Sequence, residues 1–141
     1  LLVTDLTYYN WFGYDLTNPR KLDRLIKKLE RIIRISPEYK IWADICRAGK
    51  YKCPKCGINS ELMPLEVHHT PKTLYDIVEE VLNKHMENDD ILELYPSDIV
   101  KEVLLLHLEN KVSYEVLCKS CHEIEHNKRK IQDSTKIPKL D

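Results

Sequence analysis

Apolar residues recur at helical spacing in four stretches of this chain and alternate at strand spacing in one. Leu22, Leu25, Ile26, Leu29, Ile32 and Ile33 follow Thr17-Asn18-Pro19, an N-cap signal with proline in the first turn. They predict an amphipathic helix to about Ile35. Ser36-Pro37 repeats the start signal, and Tyr39, Ile41, Trp42, Ile45 and Cys46 predict a second helix that Gly49 ends. Leu74, Ile77, Val78, Val81 and Leu82 predict a helix over 74–88. Ile99, Val100, Val103, Leu104 and Leu106 predict its partner over 96–110, with Ser97 as N-cap. Leu65-Glu66-Val67-His68-His69 alternates like a strand end, so its two histidines point to opposite faces and take different tasks. Cys46 lies in the apolar pattern of the second helix and is expected in the core.

The length of 141 residues and 43% hydrophobic content fit one domain, 1–141, with a modest core. No apolar run approaches the roughly 18 residues of a membrane span, so the chain is expected to be soluble with no membrane partner. The net charge of −1 shows no excess for binding polyanions. Its distribution changes that picture: 19–56 carries twelve Lys/Arg against four Asp/Glu, and 57–117 carries four against thirteen. Lys21, Arg24, Lys27, Lys28, Arg31 and Arg34 occupy the polar faces of the first helix, where they suit either phosphate contacts or an ordinary solvated surface. The first sixteen residues, with Tyr8, Tyr9, Trp11, Phe12 and Tyr14, are aromatic enough to dock on a partner. Glycine occurs only at 13, 49 and 57, which excludes a glycine-rich phosphate loop.

Five cysteines, with no signal peptide in the sequence given, make a poor disulfide framework and imply a reducing compartment. Cys53-Pro54-Lys55-Cys56-Gly57 and Cys118-Lys119-Ser120-Cys121 are two Cys-x-x-Cys units, the spacing at which paired thiolates reach one tetrahedral ion. Two units without a thioredoxin-like pattern favour structural Zn²⁺ over a redox dithiol. They stand 61 residues apart, where a simple zinc ribbon closes over roughly 15 to 20, so the helix pair within 73–111 reads as an insertion. His122-Glu123-Ile124-Glu125-His126 also matches the zinc-protease helix. A third ligand is needed downstream, where only Asp133 and Asp141 of a polar tail are on offer, and a protease would leave the cysteine pairs unexplained.

Tyr39-Lys40-Ile41-Trp42, the first cysteine unit, Leu65-Glu66-Val67-His68-His69 and Val116-Leu117-Cys118-Lys119-Ser120-Cys121-His122 together resemble the HNH endonucleases over about 36–130. The resemblance implies an α+β, mainly helical fold. Its ββα-metal core, split over 51–72 and 112–130, would carry a four-cysteine zinc, with basic helices over 17–50 and an acidic helical hairpin over 73–111. It implies His69 as general base and a catalytic Mg²⁺ or other divalent ion on His68 and His122. His126 would be an extra ligand or phosphate contact. Outside the resemblance, the charge of the first helix lets Arg24, Lys27, Lys28 and Arg31 hold DNA if the chain is a nuclease. The family's asparagine, which orients the base histidine, falls at Ser113 here, with Asn110 three residues earlier, so the resemblance implies one of these as the group that orients His69. The resemblance also implies the cytoplasm of a bacterial or phage-infected cell.

Two functions follow from this reading. One is a metal-dependent HNH-type DNA endonuclease hydrolysing phosphodiester bonds. The other is a catalytically weakened zinc module on the same scaffold, binding DNA or a protein. In either case the acidic hairpin is expected to face a protein partner or gate the groove.

Overall fold

A computed structural model describes residues 18–86 and 95–135. The aromatic segment carrying Tyr8 to Tyr14 and the acidic link over 89–94 lie outside the described residues. The elements in chain order are α1 (Pro19–Ile35), α2 (Pro37–Arg47), β1 (Leu65–His69), α3 (Leu74–Met86), α4 (Pro96–Leu108), β2 (Tyr114–Cys118) and α5 (Lys119–Thr135). The described fold is therefore mainly helical, with one two-stranded sheet.

Local chemistry sets most of the boundaries. The Asn18 side chain accepts from the backbone N–H groups of Arg20 and Lys21, satisfying donors that the first turn of α1 leaves over. Ser36 closes one helix and opens the next. Its Oγ donates to the Ile33 carbonyl at 2.7 Å and accepts from the Tyr39 N–H at 3.2 Å, so one hydroxyl serves both ends. Gly49, at φ 75°, supplies the left-handed step after α2. The expected cap at Ser97 is corrected. Tyr95 is the N-cap of α4, without a side-chain cap bond, because Pro96 begins the helix and leaves buried Ser97 inside its first turn.

α1 buries Leu25, Ile26, Leu29 and Ile33 against α3 and α4, and α4 also packs on α2. Val78, Leu82, Ile99, Val100, Val103 and Leu104 are fully enclosed there. Each such side chain contributes roughly 1.5–3 kcal/mol of burial. The hairpin over 73–111 thus supplies a large share of the core, and its acidic residues Glu80, Asp98 and Glu109 are turned to the surface. The core continues through Leu65, Val67, Val116 and Leu117 of the sheet, and Cys46 is buried within it.

β1 and β2 pair antiparallel, Leu65 opposite Cys118 and His69 opposite Tyr114. β2 runs directly into α5, which packs across both strands. This places the second cysteine unit at the strand-to-helix junction. No helix among the described residues is long and apolar enough to cross a membrane.

Candidate metal centres

The first cysteine unit sits in a tight hairpin. Lys52 and Asn59 form an antiparallel bridge, the Cys53 N–H donates to the Ile58 carbonyl, and the Gly57 N–H donates back to the Cys53 carbonyl. Gly57 stands at φ 75°, which lets the turn bring Cys53 and Cys56 to one side. The second unit closes on it from the end of β2 and the first turn of α5. Cys56 Sγ lies 3.6 Å from Cys118 Sγ, and all four sulfurs lie within 4.8 Å of one another. Four thiolates around a tetrahedral Zn²⁺ at about 2.3 Å would sit about 3.8 Å apart, so the donor set and its spacing fit that ion. Lys55, at the tip of the hairpin, forms an ion pair with Glu125 of α5 and straps the two halves together.

The acidities of these thiols point the same way. Burial works to raise Cys53, but backbone N–H groups of Cys118, Cys56 and Lys55 outweigh it and bring the thiol down to about 6. Cys121 is pushed up to about 12 by hydrogen bonding to Cys118, by burial and by the remaining sulfurs. Neighbouring thiols resist ionising together, and a divalent cation is what makes four thiolates compatible.

A second cluster lies on the same helix. His122 and His126 share a face of α5 at i, i+4 spacing, and their Nε2 atoms are 3.0 Å apart. His68 of β1 completes the set, with one ring nitrogen of each of the three within 4.8 Å of the others. The strand's period of two turns Glu66 to this side as well, and Glu66 Oε1 accepts from His122 Nδ1 at 3.0 Å. His68 is held down to about 4 by burial and then by the neighbouring His122 and His126, and burial also lowers His126. Neutral imidazole is the form that binds metals. The structure thus brings together His68, His122 and His126, the histidines that the resemblance grouped around one ion.

His69 leaves β1 on the opposite face, as the alternation predicts. It is 5% exposed, stacks on Trp42 at 5.4 Å between ring centroids, and meets His107 of α4 with Nε2 to Nε2 at 3.0 Å. His107 was not singled out from the sequence. Its position four residues after Val103 and three after Leu104 continues the buried stripe of α4, and that was the available signal. The side-chain hydrogen-bond partner of His69 is His107, not Ser113 or Asn110. Ser113 is exposed and accepts from the Thr70 N–H through its backbone carbonyl; Asn110 is exposed at φ 59° just after α4. Arg24, Lys27 and Arg31 are exposed on α1, Lys28 is half-buried, and Lys27 pairs with Asp23.

A family model described as Bacteriophage G278-like virion protein matches residues 3–137. This chain belongs to the Bacteriophage G278-like virion protein family. No curated protein and no solved structure matches it. Membership corrects the resemblance drawn from the cysteine and histidine motifs, because the G278-like family is one of virion proteins and not of HNH endonucleases. The endonuclease activity, the nuclease and hydrolase assignment, and the alternative of a weakened module on that scaffold fall with it. The physical reason lies in the motifs. Cys-x-x-Cys pairs and histidines at strand and helix spacing are dictated by metal-ligand geometry, which a zinc-held structural protein shares with an enzyme. In this G278-like chain His69 is bound to His107 inside an aromatic box, an enclosed setting for the residue that the resemblance made a general base.

Proposed function

We propose that this chain is a structural component of the phage particle, with its two halves held together by one Zn²⁺ on Cys53, Cys56, Cys118 and Cys121. The observation that carries this reading is the convergence of four sulfurs from a hairpin and a strand–helix junction that stand 61 residues apart in sequence. The described sheet has only two five-residue strands, too little to be stable alone, and a metal tie at its Cys118 end offsets that weakness. Membership in a virion-protein family supports placement in the particle. A second divalent ion binds at His68, His122 and His126. Its three nitrogen donors suit Zn²⁺, Co²⁺ or Ni²⁺ and are a poor match for Mg²⁺, which takes oxygen ligands.

Mass spectrometry of purified particles, with metal analysis and thermal melting of the isolated chain, tests the structural reading. The expected result is the chain in the particle, tightly held zinc, and a melting temperature that collapses on zinc removal. Absence from particles, or melting indifferent to zinc, would refute it.

A further inference from the structure

The second-ion reading needs something to hold His122 in the right tautomer, and the geometry supplies a candidate that no motif marked. A carboxylate only accepts, so the 3.0 Å contact from His122 Nδ1 to Glu66 Oε1 puts the proton on Nδ1. In the neutral ring the lone pair is then on Nε2, the atom that faces His126 Nε2 at 3.0 Å. Ligand nitrogens at about 2.0–2.1 Å from a tetrahedral ion stand about 3.3 Å apart, close to this separation. Glu66 reaches the site because it lies two residues before His68 on β1 and shares its face. One strand therefore delivers both a ligand, His68, and the group that aims a second ligand, His122.

We propose that Glu66 is the positioning carboxylate of a three-histidine transition-metal centre. It fixes His122 in the Nδ1–H tautomer so that Nε2 is presented to the ion. The inference rests on the second ion proposed above. A hydrogen bond to a ligating imidazole raises its basicity and limits ring rotation, and loss of such a partner commonly lowers metal affinity by about 10–100-fold. Arg34 borders the same pocket and is ion-paired with Glu30 at 3.0 Å. Its charge opposes a cation, which leaves the orienting carboxylate with more to offset.

The test is a Co²⁺ titration of the full zinc-loaded chain, following the visible absorption of nitrogen-bound Co²⁺. Wild type, Glu66→Gln, Glu66→Ala and His126→Ala are compared, with thermal melting of each before cobalt is added. The expected result is one Co²⁺ site in wild type that His126→Ala abolishes. Affinity should fall by about 10-fold or more in Glu66→Ala and by less in Glu66→Gln, which keeps an acceptor, with melting of the cobalt-free proteins unchanged. The ¹⁵N signals of His122 should show the Nδ1–H form in wild type and a tautomer mixture in Glu66→Ala. No Co²⁺ site, or one indifferent to His126→Ala, would overturn the second ion and the Glu66 role together. A site that needs His126 but binds equally well in both Glu66 variants overturns the Glu66 role alone. Affinity and melting lost in parallel, with His122 tautomers unchanged, also overturns it, since Glu66 would then serve the fold only.

Discussion

His107 of α4 and His69 of β1 meet nitrogen to nitrogen, Nε2 to Nε2 at 3.0 Å, and their protons are ordered by a third group. His107 Nδ1 donates to the Val103 carbonyl at 2.7 Å, so His107 Nε2 accepts and His69 Nε2 carries the proton. Trp42 meets the His107 ring edge-on at 4.6 Å and stacks on His69, and Tyr39 lies against both. The hairpin and the sheet are latched through this pair. His107→Ala removes a wholly buried ring and strands a donor, so a loss of about 3 kcal/mol is expected in urea unfolding. A loss below about 1 kcal/mol would show that the latch contributes little.

The same pair makes stability depend on pH. Burial and then His107 bring His69 down to about 3, and burial lowers His107. The unfolded histidines titrate near 6.5, so below that pH the unfolded state takes up protons that the folded state does not. The stabilisation is complete above about 6.5 and is lost progressively as pH falls towards the folded values, by at most about 1.4 kcal/mol per pH unit per histidine. Urea midpoints should therefore decline from pH 7 to pH 5. A flat profile over that range would contradict the neutral pair.

Chelation should act more strongly than any surface change. Cys118→Ala removes a buried sulfur at the end of β2 and one of four ligands, and the melting temperature should fall to that of the zinc-stripped wild type. Zinc added back should rescue wild type only. Equal rescue of the variant would argue against ligation by Cys118.

Leu104→Ala tests whether α4 belongs to the core in energy as well as in position. The side chain is wholly buried in a core it shares with residues of α1, and a cost of about 2–5 kcal/mol is expected by calorimetry. A cost under about 0.5 kcal/mol would mean that the hairpin unfolds independently. At Ser36, loss of the shared cap in Ser36→Ala should cost about 1–2 kcal/mol.

The helices were legible because their signals are local: proline at the first turn, Asn18 and Ser36 as caps, and leucine and isoleucine at 3.6-residue spacing. The four cysteines were legible for a related reason, since tetrahedral ligation imposes its own spacing. Strand alternation also separated His68 from His69 correctly. The His69–His107 bond was hidden because it joins residues 38 positions apart, and no local pattern distinguishes a buried histidine on an apolar stripe from a packing defect. His68 as partner to His122 and His126 was legible only through the resemblance, which at the same time suggested an activity that the family does not support. Ligand geometry carries over between proteins more readily than chemistry does.

The joint at Ser36 has a consequence for how this fold tolerates change in length. Nothing but that residue separates the end of α1 from the start of α2. An α-helix advances about 100° per residue, so one residue inserted or removed within α2 before Trp42 would swing its indole by about a quarter turn. The ring would leave the His69 face and an exposed side chain such as Ile41 would rotate in. The elbow works as a phase lock: a change in length between Ser36 and Trp42 turns the aromatic box out of register.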